Sequence, residues 1–223
     1  MRKIISLLLA VIIVSAAFAL CGCSKNDDAG SVDVQVEAAQ SDPVGAEPAK
    51  PADTGRQDGE RFEAVIMIEG MEETVRYEHI KNTKVGIELD YDYESLNRVN
   101  EGDRETFTSV YDDQAAPDNY MYIVADTDDP DTAAGMFGMT LSFDFEDVSS
   151  EKVTLDKAGE CVLLYAKGPK SEVFPSDAVE KVYVIPAPDG CRIARIYGTL
   201  ESAEGFGVRF AEMLDTLEVI PVE

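Results

Sequence analysis

Between Ser24 and Arg61 the chain has no Leu, Ile, Met or aromatic residue, and at Phe62 apolar periodicity begins abruptly. That boundary decides what can fold. A stretch of Ala, Val, Pro, Gly, Asp and Glu cannot bury enough apolar surface to offset the entropy of ordering it. It reads as a disordered acidic tether, semi-extended around Pro43, Pro48 and Pro51. A packed core is therefore expected only in residues 62–223, enough chain for one domain. Of the chain's net charge of -25, the tether holds nine acids against four bases, and two further bases precede it. This leaves -22 on residues 62–223. A field of that sign repels phosphate backbones and anionic headgroups, which argues against nucleic acid and favours a basic protein or peptide as partner.

Ahead of the tether, Arg2 and Lys3 precede an uncharged, largely apolar run from Ile4 to Leu20. A basic start followed by such a run is the pattern of a secretory signal, and its length is at the short limit for a spanning helix of about 20 residues. The residues that follow, Leu20-Cys21-Gly22-Cys23, resemble a bacterial lipobox: Leu at -3, a small residue at -1 and Cys at +1. Cys21 fits that pattern less well, because it would place bulky Leu20 at the cleavage position. The resemblance implies cleavage before Cys23 and a diacylglycerol on its thiol. Two acyl chains suffice as an anchor. The expected organisation is a signal peptide at 1–22, a lipidated Cys23 with tether to residue 61, and one domain at 62–223. The expected location is the extracytoplasmic face of a cell membrane.

Within the domain, Phe62 to Ile68 and Thr74 to Ile80 read as strands joined by a turn at Glu69-Gly70-Met71-Glu72. Val85 to Tyr93 alternates apolar and acidic residues, as a half-buried strand does. Thr106 to Tyr111 and Asn119 to Ala125 predict two more strands, and Asp131 is placed to cap a short helix through Leu141. Cys161 to Lys167 and Lys181 to Pro186 are apolar on both faces, as central strands are. The turn Pro188-Asp189-Gly190 returns the chain into a strand from Cys191 to Leu200. Ser202 is read as the cap of an amphipathic helix whose stripe is Phe206, Phe210, Met213, Leu214 and Leu217, with a short strand at Val219-Ile220. The pattern predicts an α+β domain, an antiparallel sheet covered by a few helices.

This order resembles the PsbP-like fold, an α/β/α sandwich. The likeness rests on the Gly86-Ile87-Glu88-Leu89-Asp90-Tyr91 strand after a hairpin, the strand pair around Pro188-Asp189-Gly190, and the closing Phe-rich helix. The chain departs from that family's usual Pro and Trp after the early strand: it has Asp92-Tyr93 there and no Trp. The Glu69-Gly70-Met71-Glu72-Glu73 and Ser202-Ala203-Glu204-Gly205-Phe206-Gly207 segments are similar to uncharacterised lipoproteins of anaerobic Gram-positive bacteria. That likeness implies no activity.

Chemistry-bearing patterns are few. His79 is the sole histidine, which removes multi-His metal sites, and as it shares a strand face with Val75 and Tyr77 a structural or surface role is favoured over a catalytic base. Asp126, Asp128, Asp129 and Asp131 put four carboxylates into six residues and offer oxygen ligands for calcium. The stretch fails the EF-hand template, since Asp131 stands where Gly is required, and a solvated acidic loop is the simpler reading. Glu88, Asp90 and Asp92 on one strand face receive the same reading. Tyr91, Tyr93, Tyr111, Tyr120 and Tyr122 can line a groove or pack a sheet. Cys161 and Cys191 both fall at strand starts, and the sequence leaves a bridge and two free thiols equally open. No catalytic residue or cofactor is assigned. The expected function is a non-enzymatic binding or envelope-assembly module; the alternative is a carboxylate- or calcium-dependent hydrolase of envelope polymers.

Overall fold

A computed structural model describes residues 55–68, 70–113 and 117–223. The signal segment, Cys23 and the tether through residue 54 lie outside the described residues. In chain order the elements are β1 (Arg61–Ile68), β2 (Met71–Asn82), β3 (Ile87–Asp92), β4 (Leu96–Asn100), β5 (Arg104–Ser109), β6 (Tyr120–Asp126) and α1 (Pro130–Asp144). There follow β7 (Phe145–Leu155), β8 (Gly159–Pro169), β9 (Ala178–Ala187), β10 (Gly190–Thr199), α2 (Ser202–Asp215) and β11 (Glu218–Val219). Pairing is antiparallel, in a four-stranded sheet of order β1-β2-β3-β11 and a seven-stranded sheet of order β4-β5-β6-β10-β9-β8-β7. The domain is α+β.

The central strands explain the layering. On β10, Ala194 and Ile196 point to one side and Cys191 and Ile193 to the other, and all four are buried. The first side joins Phe107, Met121 and Ile185 of the large sheet to Ile80, Ile87 and Leu89 of the small one, closed by Phe210, Met213 and Leu214 of α2. The second side joins Val182, Val184 and Leu164 to Ala133 and Leu141 of α1. Each fully buried Leu, Ile or Phe contributes about 1.5–3 kcal/mol relative to exposure. Both faces of the large sheet are thus paid for by apolar burial over its β10–β8 half.

Three polar devices connect the layers. Arg192, wholly buried, donates from Nε to Gly86 O at 3.2 Å and from Nη1 to Cys191 O at 3.2 Å. Its Nη2 reaches Ile220 O at 3.5 Å and Asp189 Oδ1 at 2.9 Å, tying β10 to the turn before β3 and to the C-terminal segment. Gly86 is needed there: its φ is +75°, and a Cβ would lie 2.3 Å from Arg192 Nη2. Glu105, also wholly buried, accepts a bidentate pair from Arg98 at 2.8 and 2.9 Å and further bonds from Asn82 and Asn100. Asp92 accepts from Arg209 Nη1 at 2.7 Å, fixing α2 to β3.

Several expectations change. The polar edge strands β4 and β7 are additional to the strands expected from the pattern; seven of the eleven residues of β7 are exposed. Asp129, not Asp131, caps α1: its carboxylate accepts from Thr132 N, and Pro130 takes the first helical position, where its missing N–H costs nothing. Ser202 does not cap α2. It forms a closed turn with Thr199, and Glu201 at the cap position makes no side-chain cap bond. Ordered packing begins before Phe62, because Arg56 stacks on the Phe62 ring at 3.6 Å and pairs with Asp90 at 3.2 Å. Cys161 and Cys191 are free thiols. They belong to opposite faces of the large sheet, with β9 between their strands, so the bridge does not form.

Candidate functional site

Helix α1 packs on β7, β8 and β9 and reaches β10. Among the described residues neither helix packs over the β4–β6 end of that same face. The strand register assembles what stands there. Arg195 of β10 lies opposite Tyr122 of β6, which lies opposite Thr106 of β5, and Tyr197 lies opposite both Tyr120 and Glu180. Tyr120 and Tyr197 stack with centroids 5.2 Å apart, and Phe174 continues the aromatic row at 6.2 Å from Tyr197. Tyr122 carries two guanidinium groups near its ring, Arg104 at 4.9 Å and Arg195 at 6.0 Å. Arg104 is exposed, and Tyr120, Tyr122 and Tyr197 are half-buried.

Electrostatics hold this face in one arrangement. Glu180 is buried and grips Arg195 through both oxygens, the Nη2–Oε2 bond being 2.9 Å. Arg195 Nη1 donates to the Tyr122 hydroxyl at 3.3 Å. Burial works against the charge on Arg195, but the Glu180 carboxylate outweighs it, and the guanidinium pKa is raised. Burial also pushes the Tyr120 and Tyr197 hydroxyls up, so both stay neutral donors near pH 7. Beside Arg104 the surface dips into a depression of about 230 Å³ lined by Lys84, Glu101, Asp103, Val124 and Ala125. The chemistry available is stacking on flat aromatic and guanidinium groups, with hydroxyls and one exposed guanidinium to orient a ligand.

The residues singled out from sequence separate. Of the five tyrosines, Tyr120 and Tyr122 meet on this face. Tyr91 faces the inter-sheet core against Phe107, Tyr93 lies under Arg61, and Tyr111 sits in a loop near Phe206. Arg104, Glu180, Arg195 and Tyr197 were missed. A signal existed: Arg195 interrupts an apolar run in a central strand, and such a charge needs a buried counter-charge. Cys23 lies outside the described residues. Asp126 accepts from Asp128 N and Asp129 caps α1, and no group of three or more such ligands among the described residues is arranged to hold a metal ion. His79 is buried, with Nδ1 2.7 Å from Asp90 Oδ1; Asp90 also holds Arg56, so this pair anchors the start of the fold. Asp90 and Asp92 are buried and paired with cations.

No protein-family model matches the sequence, and no curated protein matches it. Among solved structures, a mutant form of the protein Mog1 is similar at a TM-score of 0.42 and 12% identity, over 65% of this chain and 96% of that one.

Proposed function

We propose that this chain is a lipid-tethered binding module on the extracytoplasmic face of a cell membrane, non-enzymatic, anchored through Cys23 and built on a PsbP-like α/β/α sandwich. The fold reading is supported by the β9–β10 pair across the Pro188-Asp189-Gly190 turn and by a Phe-rich α2 leading into β11. The anchor reading is supported by the Leu20-Cys21-Gly22-Cys23 box behind an apolar signal. The observation that carries the binding reading is the β4–β6 end of the large sheet, over which neither helix packs among the described residues. Its Tyr122, Arg104 and Arg195 cluster is held rigid from behind by buried Glu180.

Such a face suits a ligand with flat polar units, such as the rings of an envelope glycan or the planes of a peptide. The -22 field around it adds attraction for basic protein or peptide partners and weakens with salt. The test uses residues 24–223, which retain every described strand pairing, against envelope glycan fragments and cationic peptides, with and without calcium. Saturable binding without consumption of the ligand is expected. Turnover abolished by one Asp or Glu substitution would replace the binding reading with the hydrolase. A Cys23→Ala variant of the full chain is expected to leave the membrane fraction; retention there would remove the anchor.

A further inference from the structure

Each buried charge among the described residues has a counter-charge: Asp90 holds Arg56 and His79, Asp92 holds Arg209, Glu105 holds Arg98, Glu180 holds Arg195 and Arg192 holds Asp189. Lys181 of β9 breaks that pattern. It is half-buried opposite Ile196, whose side chain belongs to the inter-sheet core, and it makes no ion pair or side-chain hydrogen bond among the described residues. Near it stands an unpartnered group of the opposite kind. Asn119 is 8% exposed, and its Nδ2 donates to Asp112 Oδ2 at 3.2 Å, which fixes the orientation of the amide. Its Oδ1 accepts no hydrogen bond among the described residues. A buried acceptor in that state is costly and marks a place where a donor belongs. Both side chains line one cleft between the large sheet and the start of α2, and Gly198 of β10 lies between their strands. A Cβ on Gly198 would stand 3.0 Å from Asn119 Oδ1 and 3.0 Å from Ser202 Oγ, so the bare glycine keeps this space open. The enclosed room is about 20 Å³, enough for one water-sized group, with Phe206, Phe210 and Ile196 as apolar walls. Helix α2 begins here without a side-chain cap, so its free N–H groups add partial positive charge.

We infer that this cleft binds a small hydroxy carboxylic acid, its hydroxyl donating to Asn119 Oδ1 and its carboxylate pairing with Lys181 beside the start of α2. Three features select that chemistry. An amide oxygen only accepts, so the group that enters the enclosed room must be a donor. A neutral hydroxyl is the donor that suits it, because an ammonium there would face both Lys181 and the positive end of α2. Lys181 and the helix start call for an anion, and the half-exposure of Lys181 sets the carboxylate at the rim, where water still reaches it. Water alone would satisfy Oδ1 but would leave Lys181 without a counter-charge. The small room limits the ligand to a short carbon skeleton, and the surrounding field of -22 opposes any anion, so binding is weak. The site is separate from the Tyr122 cluster: Ile196 packs in the inter-sheet core, whereas its neighbour Tyr197 packs on the α1 side of the sheet.

The experiment is an amide-shift titration by heteronuclear NMR of residues 24–223 with L-lactate and with D-lactate, each to about 50 mM. Saturable shifts at Gly198, Thr199 and Ser202 are expected, with Tyr122 unshifted and a Kd on the order of 1 mM for the better enantiomer. Propionate, which lacks the hydroxyl, should bind at least about tenfold more weakly. Lys181→Met should weaken lactate binding at least about tenfold while raising Tm, because it removes an inward charge that has no partner. A lysine kept only for packing would not produce that pairing of effects. Gly198→Ala should abolish binding by filling the enclosed room. Absence of saturable shifts with either enantiomer would overturn the inference, as would equal affinity for propionate or full affinity in Lys181→Met. A crystal soaked in lactate that shows only a water on Asn119 Oδ1 would also overturn it, by reducing the cleft to a hydration site.

Discussion

Arg192→Met tests how the two layers are held together. The substitution keeps an apolar stem of similar reach and removes a wholly buried guanidinium. Gly86 O keeps a donor, because Ile220 N bonds to it at 3.0 Å. Cys191 O and Ile220 O each lose the bond that Arg192 gave them. A buried acceptor left without its donor costs about 1–3 kcal/mol, so the pair costs about 2–6 kcal/mol. Asp189 adds little, since its side chain is 44% exposed and regains water. For a domain of this size about 2–4 °C of Tm follows each kcal/mol, which predicts a fall of roughly 4–24 °C. Thermal and urea unfolding of residues 24–223, followed by circular dichroism, measures it. Asp189→Ala is the control and should cost under about 1 kcal/mol. Equal losses in the two variants would show that the surface ion pair, not the carbonyl clamp, carries the stability. A loss below about 1 kcal/mol for Arg192→Met would refute the clamp itself.

Other outcomes follow from the same structure. Gly86→Ala forces a side chain onto a φ of +75° and against Arg192, and should destabilise more in the wild-type background than in Arg192→Ala, as a double-mutant cycle in urea will read. Gly135→Ala and Gly138→Ala fill open space within a helix and should each raise monomer stability by about 0.5–1 kcal/mol. Burial pushes the Cys161 and Cys191 thiols up to about 11, so a thiol reagent at pH 8 should label neither in the native state and both after unfolding without reductant. Burial likewise raises Tyr91 and Tyr183 to about 12. The unfolded chain releases the thiol and tyrosine protons first, so the stability these groups contribute should be lost as pH rises from about 8 towards 12, which urea midpoints across that range will show.

The parts of the fold that follow from periodicity were legible in the sequence. The apolar half of β3, the doubly apolar β8, β9 and β10, and the stripe of α2 each carry their burial in their spacing. The acidic half of β3, expected to be solvated, is instead buried at Asp90 and Asp92 by pairing with Arg56 and Arg209. What was not legible depended on partners remote in the chain. β7 is unassigned by pattern because its residues are mostly polar and only its pairing to β8 makes it a strand. β4 is short, and its Arg98 is explained only by Glu105 across the hairpin. The cap of α1 was misplaced by two residues because Pro130, not Asp131, opens the helix. For the candidate face, Tyr120 and Tyr122 were visible, but Arg104, Glu180, Arg195 and Tyr197 come from three different strands. Only the β5-β6-β10-β9 order, set by long-range pairing, places them together.

The central claim is that the uncovered end of the large sheet binds the ligand. Isothermal titration of an envelope fragment retained in the screen, into residues 24–223 and into Tyr122→Ala, tests it most directly. Tyr122 contacts solvent and two guanidinium groups, so its loss should leave the fold intact and weaken binding by about 30-fold, as removal of an aromatic anchor does. Unchanged affinity in Tyr122→Ala and in Arg104→Ala, with both variants folded, would place the ligand elsewhere on the molecule and contradict the account.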